Sequence, residues 1–190
     1  MRAKSDFAES IIVLRRDARF AALIKRHGPP DLKRGKNPFR ALVRSIINQQ
    51  VSGAAAETIH ARFLALFSKG NSPTPEMVCA MPVGKMRGAG LSSQKASYIK
   101  DLAEKFSDGT IRHRSLRRME SDDIIEHLTQ VKGIGVLTVH MFLIFTLKRP
   151  DVLPTGDLGI RKGFQILYGL KELPDHARME KLAKGWRAHA

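Results

Sequence analysis

Cysteine is all but missing from this chain of 190 residues: Cys79 stands alone, which excludes an internal disulfide and a cysteine-ligated zinc or iron–sulfur site. Acidic residues are few beside basic ones, 18 Asp and Glu against 33 Lys and Arg, and the formal net charge of +15 favours a polyanionic partner, nucleic acid first. No apolar run reaches the length of a membrane-spanning helix, and no basic amphipathic helix stands apart from the core pattern, so a lipid surface is the lesser anionic candidate. The start MRAKSDFAES lacks the apolar stretch of a secretory signal. A cytoplasmic protein is expected. The seven histidines are scattered without ligand spacing, and neither a catalytic metal nor an organic cofactor is assigned.

What the chain does have is helical periodicity. An apolar content of 43% over this length supports one domain, residues 1–190, with a substantial core. Phe7, Ile11 and Leu14, then Phe20, Leu23 and Ile24, predict helix over residues 6–26. The turn HGPPDLKRGKN follows. Asn37-Pro38 opens the next helix as N-cap and first residue, with Phe39, Leu42, Val43, Ile46 and Ile47 on a broad apolar face that stops at Asn48-Gln49-Gln50. Further helices are predicted from about Gly53 to Phe67, from Thr74-Pro75, after Leu91-Ser92-Ser93, after a Ser121-Asp122-Asp123 cap, and after Asp157 and Asp175. Residues 84–90 and the Ser-Lys-Gly-Asn-Ser-Pro segment at 68–73 read as turns. Val136 to Leu147 is almost wholly apolar, which predicts burial on all sides. No strand pattern occurs. The class is all-α, with eight to ten helices.

Chemistry concentrates in LTQVKGIGVLTVHMFLIFTLKRPDVLPTGDLGIRK, Leu128 to Lys162. Lys132-Gly133-Ile134-Gly135 sits between two helical patterns as a tight hairpin, where glycine permits positive φ and close backbone approach. An ordinary helix-ending turn and a phosphate cradle both fit Gly-x-Gly; Thr138 and the basic surplus weigh towards phosphate. Lys95 falls in a helix's first turn, where a cation opposes the dipole; a solvated lysine and a phosphate contact both fit. Asp157 fits a plain N-cap, and the same dipole favours the charged form needed to stabilise a cationic transition state or orient a water.

These residues carry a resemblance. Val131 to Gly163 resembles the helix–hairpin–helix, Gly/Pro-rich loop and aspartate pattern of the base-excision DNA glycosylase superfamily, and more narrowly the 3-methyladenine DNA glycosylase II family. Ser45-Ile46-Ile47-Asn48-Gln49-Gln50-Val51-Ser52 and Gly90-Leu91-Ser92-Ser93-Gln94-Lys95-Ala96 extend the match over most of the chain. The resemblance implies a compact helical fold of two lobes with a cleft between them, and double-stranded DNA with a damaged base as partner of a monomeric enzyme. It assigns backbone contacts to Gly133 and Gly135, with Thr138 as a phosphate contact, and glycosidic cleavage to Asp157; Lys95, by its place in a first turn, is a further candidate DNA contact. It makes Gln50 the residue wedged into the duplex, with Gln49 its neighbour. A structural sodium or potassium ion would be held by the main-chain carbonyls of Thr129, Val131 and Ile134. Phe39, Phe142, Tyr98 and Trp186 are the aromatic candidates for a base pocket.

The departures are also informative. Bifunctional relatives carry a nucleophilic lysine where this chain has Leu137, so the resemblance implies a monofunctional enzyme with water as nucleophile. Alkylated purines such as 3-methyladenine and 7-methylguanine are the implied substrates. A non-catalytic DNA-binding module, or a glycosylase for uracil, hypoxanthine or an oxidised purine, are the alternatives. There is no room for the N-terminal β-rich domain of larger relatives. Where the family runs on through Trp-x-Pro-aromatic-Arg-Ser, this chain reads Trp186-Arg187-Ala188-His189-Ala190, and a shortened C-terminal helix is expected.

Overall fold

A computed structural model describes residues 7–30, 32, 35, 37–67 and 73–189. Among these are eleven α-helices, slightly more than expected, and no strand. No described helix is long and apolar enough to cross a membrane. The chain falls into two compact units, one formed by residues 35–142 and the other drawing on residues 1–34 and 143–190.

The continuous unit holds α3 (Pro38–Asn48), α4 (Gly53–Ala65), α5 (Pro75–Ala80), α6 (Val83–Gly88), α7 (Ser93–Ser107), α8 (Ser121–Thr129) and α9 (Val136–Phe142). Its starts follow local chemistry: Asn37 accepts from the Arg40 N–H at 3.1 Å, Ser52 caps α4, Thr74 caps α5, and Ser92 accepts from the Lys95 N–H at 3.1 Å. The stripe Phe39, Leu42, Val43, Ile46 and Ile47 is buried, and α7 packs against α3, α5 and α6 through the buried Ala96, Ile99, Leu102 and Ala103. Two local expectations change. Residues 83–88 form α6 rather than a turn, because only Gly90, at φ 102°, takes the turn conformation. Ser121 is the first residue of α8 rather than its cap: Glu120 stands at the N-cap without a side-chain bond, and the Ser121 hydroxyl is buried with no partner among the described residues.

The other unit contains α1 (Ala8–Leu14), α2 (Ala18–His27), a π-helical turn at Leu143–Leu147, α10 (Leu158–Tyr168), α11 (His176–Ala183) and a 3-10 turn at Arg187–His189. The opening helix breaks in two because Asp17 accepts the Arg19 N–H at 2.9 Å and caps α2. Leu153, Phe164, Met179 and Ala183 form the core, with Tyr168, Leu182 and Trp186 against it. Phe20 of α2 meets Trp186 edge to face at 5.0 Å, Arg19 lies 4.2 Å over the Tyr168 ring, and Ser10 hydrogen-bonds His189 at 3.2 Å. The two ends of the chain therefore stabilise each other. The apolar run 136–147 is not buried all round: Val136, Leu137 and Phe145 are 49%, 40% and 54% exposed, and the single helix expected there is α9 followed by the π-helical turn. The turn at 27–37 and the loop at 68–73 fall partly outside the described residues.

Two histidines give this fold a pH dependence. Burial, then the neighbouring Arg44, lowers His60 below its ordinary value, and burial, then Arg117, lowers His113. The unfolded chain takes up protons near pH 6.5 that these folded imidazoles refuse, so stability falls as pH drops through 6.5 towards the folded values. Asp17, Glu76 and Asp108 are lowered by hydrogen bonds from Arg19, Thr74 and Thr110 respectively. Their contribution is lost only as pH falls below about 4. Urea midpoints between pH 7.5 and 5.5 should thus decline in the parent and decline less in a His60→Gln, His113→Gln variant. Equal declines would remove the histidines as the cause.

Candidate nucleic-acid interface

The hairpin joining α8 to α9 has one glycine that must be glycine. Gly133 has φ 78°, and a Cβ there would stand 2.0 Å from Cδ2 of Tyr98. Gly135 is different: its φ lies outside the left-handed region, and a Cβ would meet nothing within 4 Å. Gly133 is thus required for packing and turning, while Gly135 is exposed and leaves the backbone approachable from outside. The Ile134 N–H closes the turn on the Val131 carbonyl at 3.0 Å. Thr138 is half-buried one turn into α9. The first amides of a helix lack intrahelical acceptors and carry the positive end of its dipole, an arrangement suited to an anion.

Three side chains from elsewhere in this unit hold the hairpin in place. Tyr98 lies against Gly133. Asp101, one turn later on α7, accepts the Lys132 N–H at 2.9 Å, and its side chain is only 14% exposed, 3.9 Å from the ammonium groups of both Lys105 and Lys132. Gln49 donates from Nε2 to the Gly133 carbonyl at 2.8 Å. Asp101 was missed in the sequence. The pair Tyr98 and Asp101 shares a helix face at i, i+3, but nothing local indicates that the hairpin lies there.

Gln50, next to the tethered Gln49, is exposed and holds φ at 53°. Left-handed backbone is rare for residues other than glycine, and where a structure maintains it the position merits a functional explanation. Gln49, Gln50, Val51, Lys95, Tyr98 and Gly133 are among the residues lining an open hollow of about 570 Å³. Lys95 has an occupation that its sequence position did not suggest: its ammonium donates to the carbonyls of Ile47 and Gln49, both at 2.7 Å. Burial lowers its pKa below the ordinary lysine value.

Thr129, Val131 and Ile134 line a second hollow, of about 470 Å³, with the rest of the hairpin. The Thr129 hydroxyl is turned to the Ile125 carbonyl at 2.8 Å, so main-chain oxygens are what this segment offers. Val131 already accepts one N–H, and a carbonyl keeps a second lone pair. Hard oxygen donors of this kind suit an alkali-metal ion.

Asp157 belongs to the other unit. Its Oδ1 accepts the Ile160 N–H at 2.8 Å, capping α10, while its own N–H donates to the Pro154 carbonyl at 2.9 Å. The preceding Val152, Leu153 and Pro154 are buried, so the carboxylate stands on a firmly seated loop and remains partly exposed. Of the aromatic candidates, Phe39 is fully buried and meets Phe106 edge to face at 5.3 Å, and Phe142 is 2% exposed. Both rings are core. Trp186 is half-buried, its indole N–H donating to the Tyr168 hydroxyl at 3.0 Å, and Tyr98 lines the hollow beside Gln50.

An all-helical chain with a glycine hairpin, a basic surplus and a capping aspartate in the following loop belongs to a class of helix–hairpin–helix proteins. Residues 43–188 match the HhH-GPD superfamily base excision DNA repair protein model, and the chain belongs to that superfamily. It is 38% identical over 157 residues to DNA-3-methyladenine glycosylase 1 of Schizosaccharomyces pombe, spanning 82% of this chain and 69% of that one. The structure of the Schizosaccharomyces pombe 3-methyladenine DNA glycosylase in complex with abasic DNA superposes with a TM-score of 0.83 at 35% identity, covering 94% of this chain and 89% of that chain. A DNA-3-methyladenine glycosidase from Bacillus halodurans gives 0.84 at 34% identity, covering 96% and 83%.

Proposed function

We propose that this protein is a monofunctional DNA glycosylase that hydrolyses the N-glycosidic bond of alkylated purines, 3-methyladenine and 7-methylguanine, in duplex DNA, as a monomer in the cytoplasm. The observation that carries this reading is the Asp157 carboxylate, fixed by the Ile160 N–H in a chain of the base-excision superfamily. An alkylated purine is already cationic, so it leaves without a general acid and the sugar becomes oxocarbenium-like. A carboxylate held in place stabilises that charge without reorganising, and can orient the attacking water. One acid is enough for such a substrate.

Extruding the nucleotide costs a few kcal/mol. The exposed Gln50 would enter the vacated stack beside Gln49, while Gly133, Gly135 and Thr138 hold flanking phosphate and the carbonyls of Thr129, Val131 and Ile134 hold a monovalent cation. That ion would add positive charge next to the phosphate. Of the aromatic candidates in the unit that carries Asp157, Trp186 would be the one to contact the displaced base. Leu137, where bifunctional relatives have lysine, cannot form a Schiff base. The expected products are free base and an intact strand bearing an abasic site.

A panel of duplexes carrying 3-methyladenine, 7-methylguanine, uracil, hypoxanthine or 8-oxoguanine tests this reading. Release of the two alkylated purines, with strand breaks only after alkali, is expected. Strand cleavage without alkali by pure protein would contradict monofunctional chemistry, and release of another base alone would change the substrate class. Salt-sensitive binding with no release from any duplex would make the chain a DNA-gripping module.

A further inference from the structure

Lys95 stands in the first turn of α7, where its own helix dipole disfavours a cation. What offsets this is the end of another helix. The last carbonyls of an α-helix lack intrahelical donors and form the negative end of its dipole, and the Lys95 ammonium donates at 2.7 Å to two carbonyls there, those of Ile47 and Gln49. Between them α3 ends at Asn48 and Gln49 turns out of the helix with ψ 130°. The next residue is the left-handed Gln50. Helices commonly end with glycine in this conformation, because glycine adopts it without steric cost; here a large amide occupies it and is exposed. The side chain of Gln49 adds the second connection, to the Gly133 carbonyl.

Resting on the reading of Gln50 as the wedge, we propose that Lys95 is its positioning residue. By holding the carbonyls on either side of the α3 terminus, Lys95 keeps Gln50 in its left-handed conformation, and Gln49 sets that conformation in register with the hairpin. Entry of the wedge into the stack is thus tied to the seating of the backbone anchor. On this account Lys95 contributes through Gln50 and does not neutralise a phosphate.

The two roles separate experimentally. A duplex with 2-aminopurine beside a tetrahydrofuran abasic site brightens when the neighbouring base is unstacked, and affinity measured against salt counts the phosphates neutralised. Lys95→Met is expected to leave the salt slope unchanged, to reduce the 2-aminopurine rise several-fold, and to slow single-turnover base release at least tenfold. A slope lowered by about one, with the fluorescence rise retained, would make Lys95 a phosphate contact and overturn the inference. Gln49→Leu leaves the clasp in place and removes only the connection to the hairpin, so it remains informative if Lys95→Met fails to fold. It should lower the fluorescence rise at constant slope, and an unchanged rise would overturn the proposed register. Gln50→Ala tests the underlying reading separately: a full rise in that variant would remove the wedge and Lys95's role with it, whereas loss of the rise in Gln50→Ala alone would leave the wedge standing and reject only Lys95.

Discussion

Asp157→Asn is expected to abolish measurable base release, a loss on the order of 10²–10⁴-fold, the range seen when a group acting directly on a transition state is removed. The substitution separates charge from structure. Asn is as good an N-cap as Asp, so the bond to the Ile160 N–H survives and the melting temperature should stay close to parental. Asp157→Ala removes the cap as well and should cost about 1 kcal/mol of stability in addition. Affinity for an abasic duplex should remain in both. Release by Asp157→Asn at the parental rate would end the catalytic assignment, and a large fall in its melting temperature would move Asp157 to the scaffold.

The second large effect is at the hairpin. Gly133→Ala places a methyl 2.0 Å from the Tyr98 ring in a backbone at φ 78°. Left-handed backbone costs a residue with a Cβ roughly 1–2 kcal/mol, and overpacking adds about 1–3 kcal/mol more, so the turn must move or the unit lose about 2–5 kcal/mol. Either outcome displaces the amides proposed to grip phosphate, and affinity for an abasic duplex should fall with stability. Gly135→Ala, which meets nothing, is the control: its melting temperature should be parental, and any loss of affinity reports close backbone approach by DNA. Combining Tyr98→Ala with Gly133→Ala should recover the steric part of the loss and leave the backbone part. Equal stability of the parent and Gly133→Ala would mean that the hairpin adapts freely.

Both expectations start from features visible in the sequence, because the Asp157 cap and the hairpin turn each span only three residues; the Tyr98 ring against Gly133 comes from a distant part of the chain and is not among them. The caps at Asn37, Ser52, Thr74, Ser92, Asp157 and Asp175 form where the letters indicate, since an Asx or hydroxyl side chain reaches only the next amides of its own chain. At Ser121 and α6, where local chemistry is ambiguous, the structure departs from the expectation by a residue or an element. The apolar run from Val136 misled for another reason: composition does not reveal which side of a helix lacks a neighbour, and Val136, Leu137 and Phe145 remain exposed.

The all-helical class, most helix starts, the hairpin, the aspartate that follows it and a charge suited to DNA are legible along the chain. Tertiary structure alone decided what supports them. It brought Asp101 to the Lys132 amide across 31 residues and Lys95 to the end of α3 across 46 to 48. It set Ser10 against His189 across 179 and withdrew Phe39 and Phe142 into the core. Capping and periodicity depend on neighbours along the chain, whereas these pairings depend on which buried faces meet, a choice made by the packing of the whole unit.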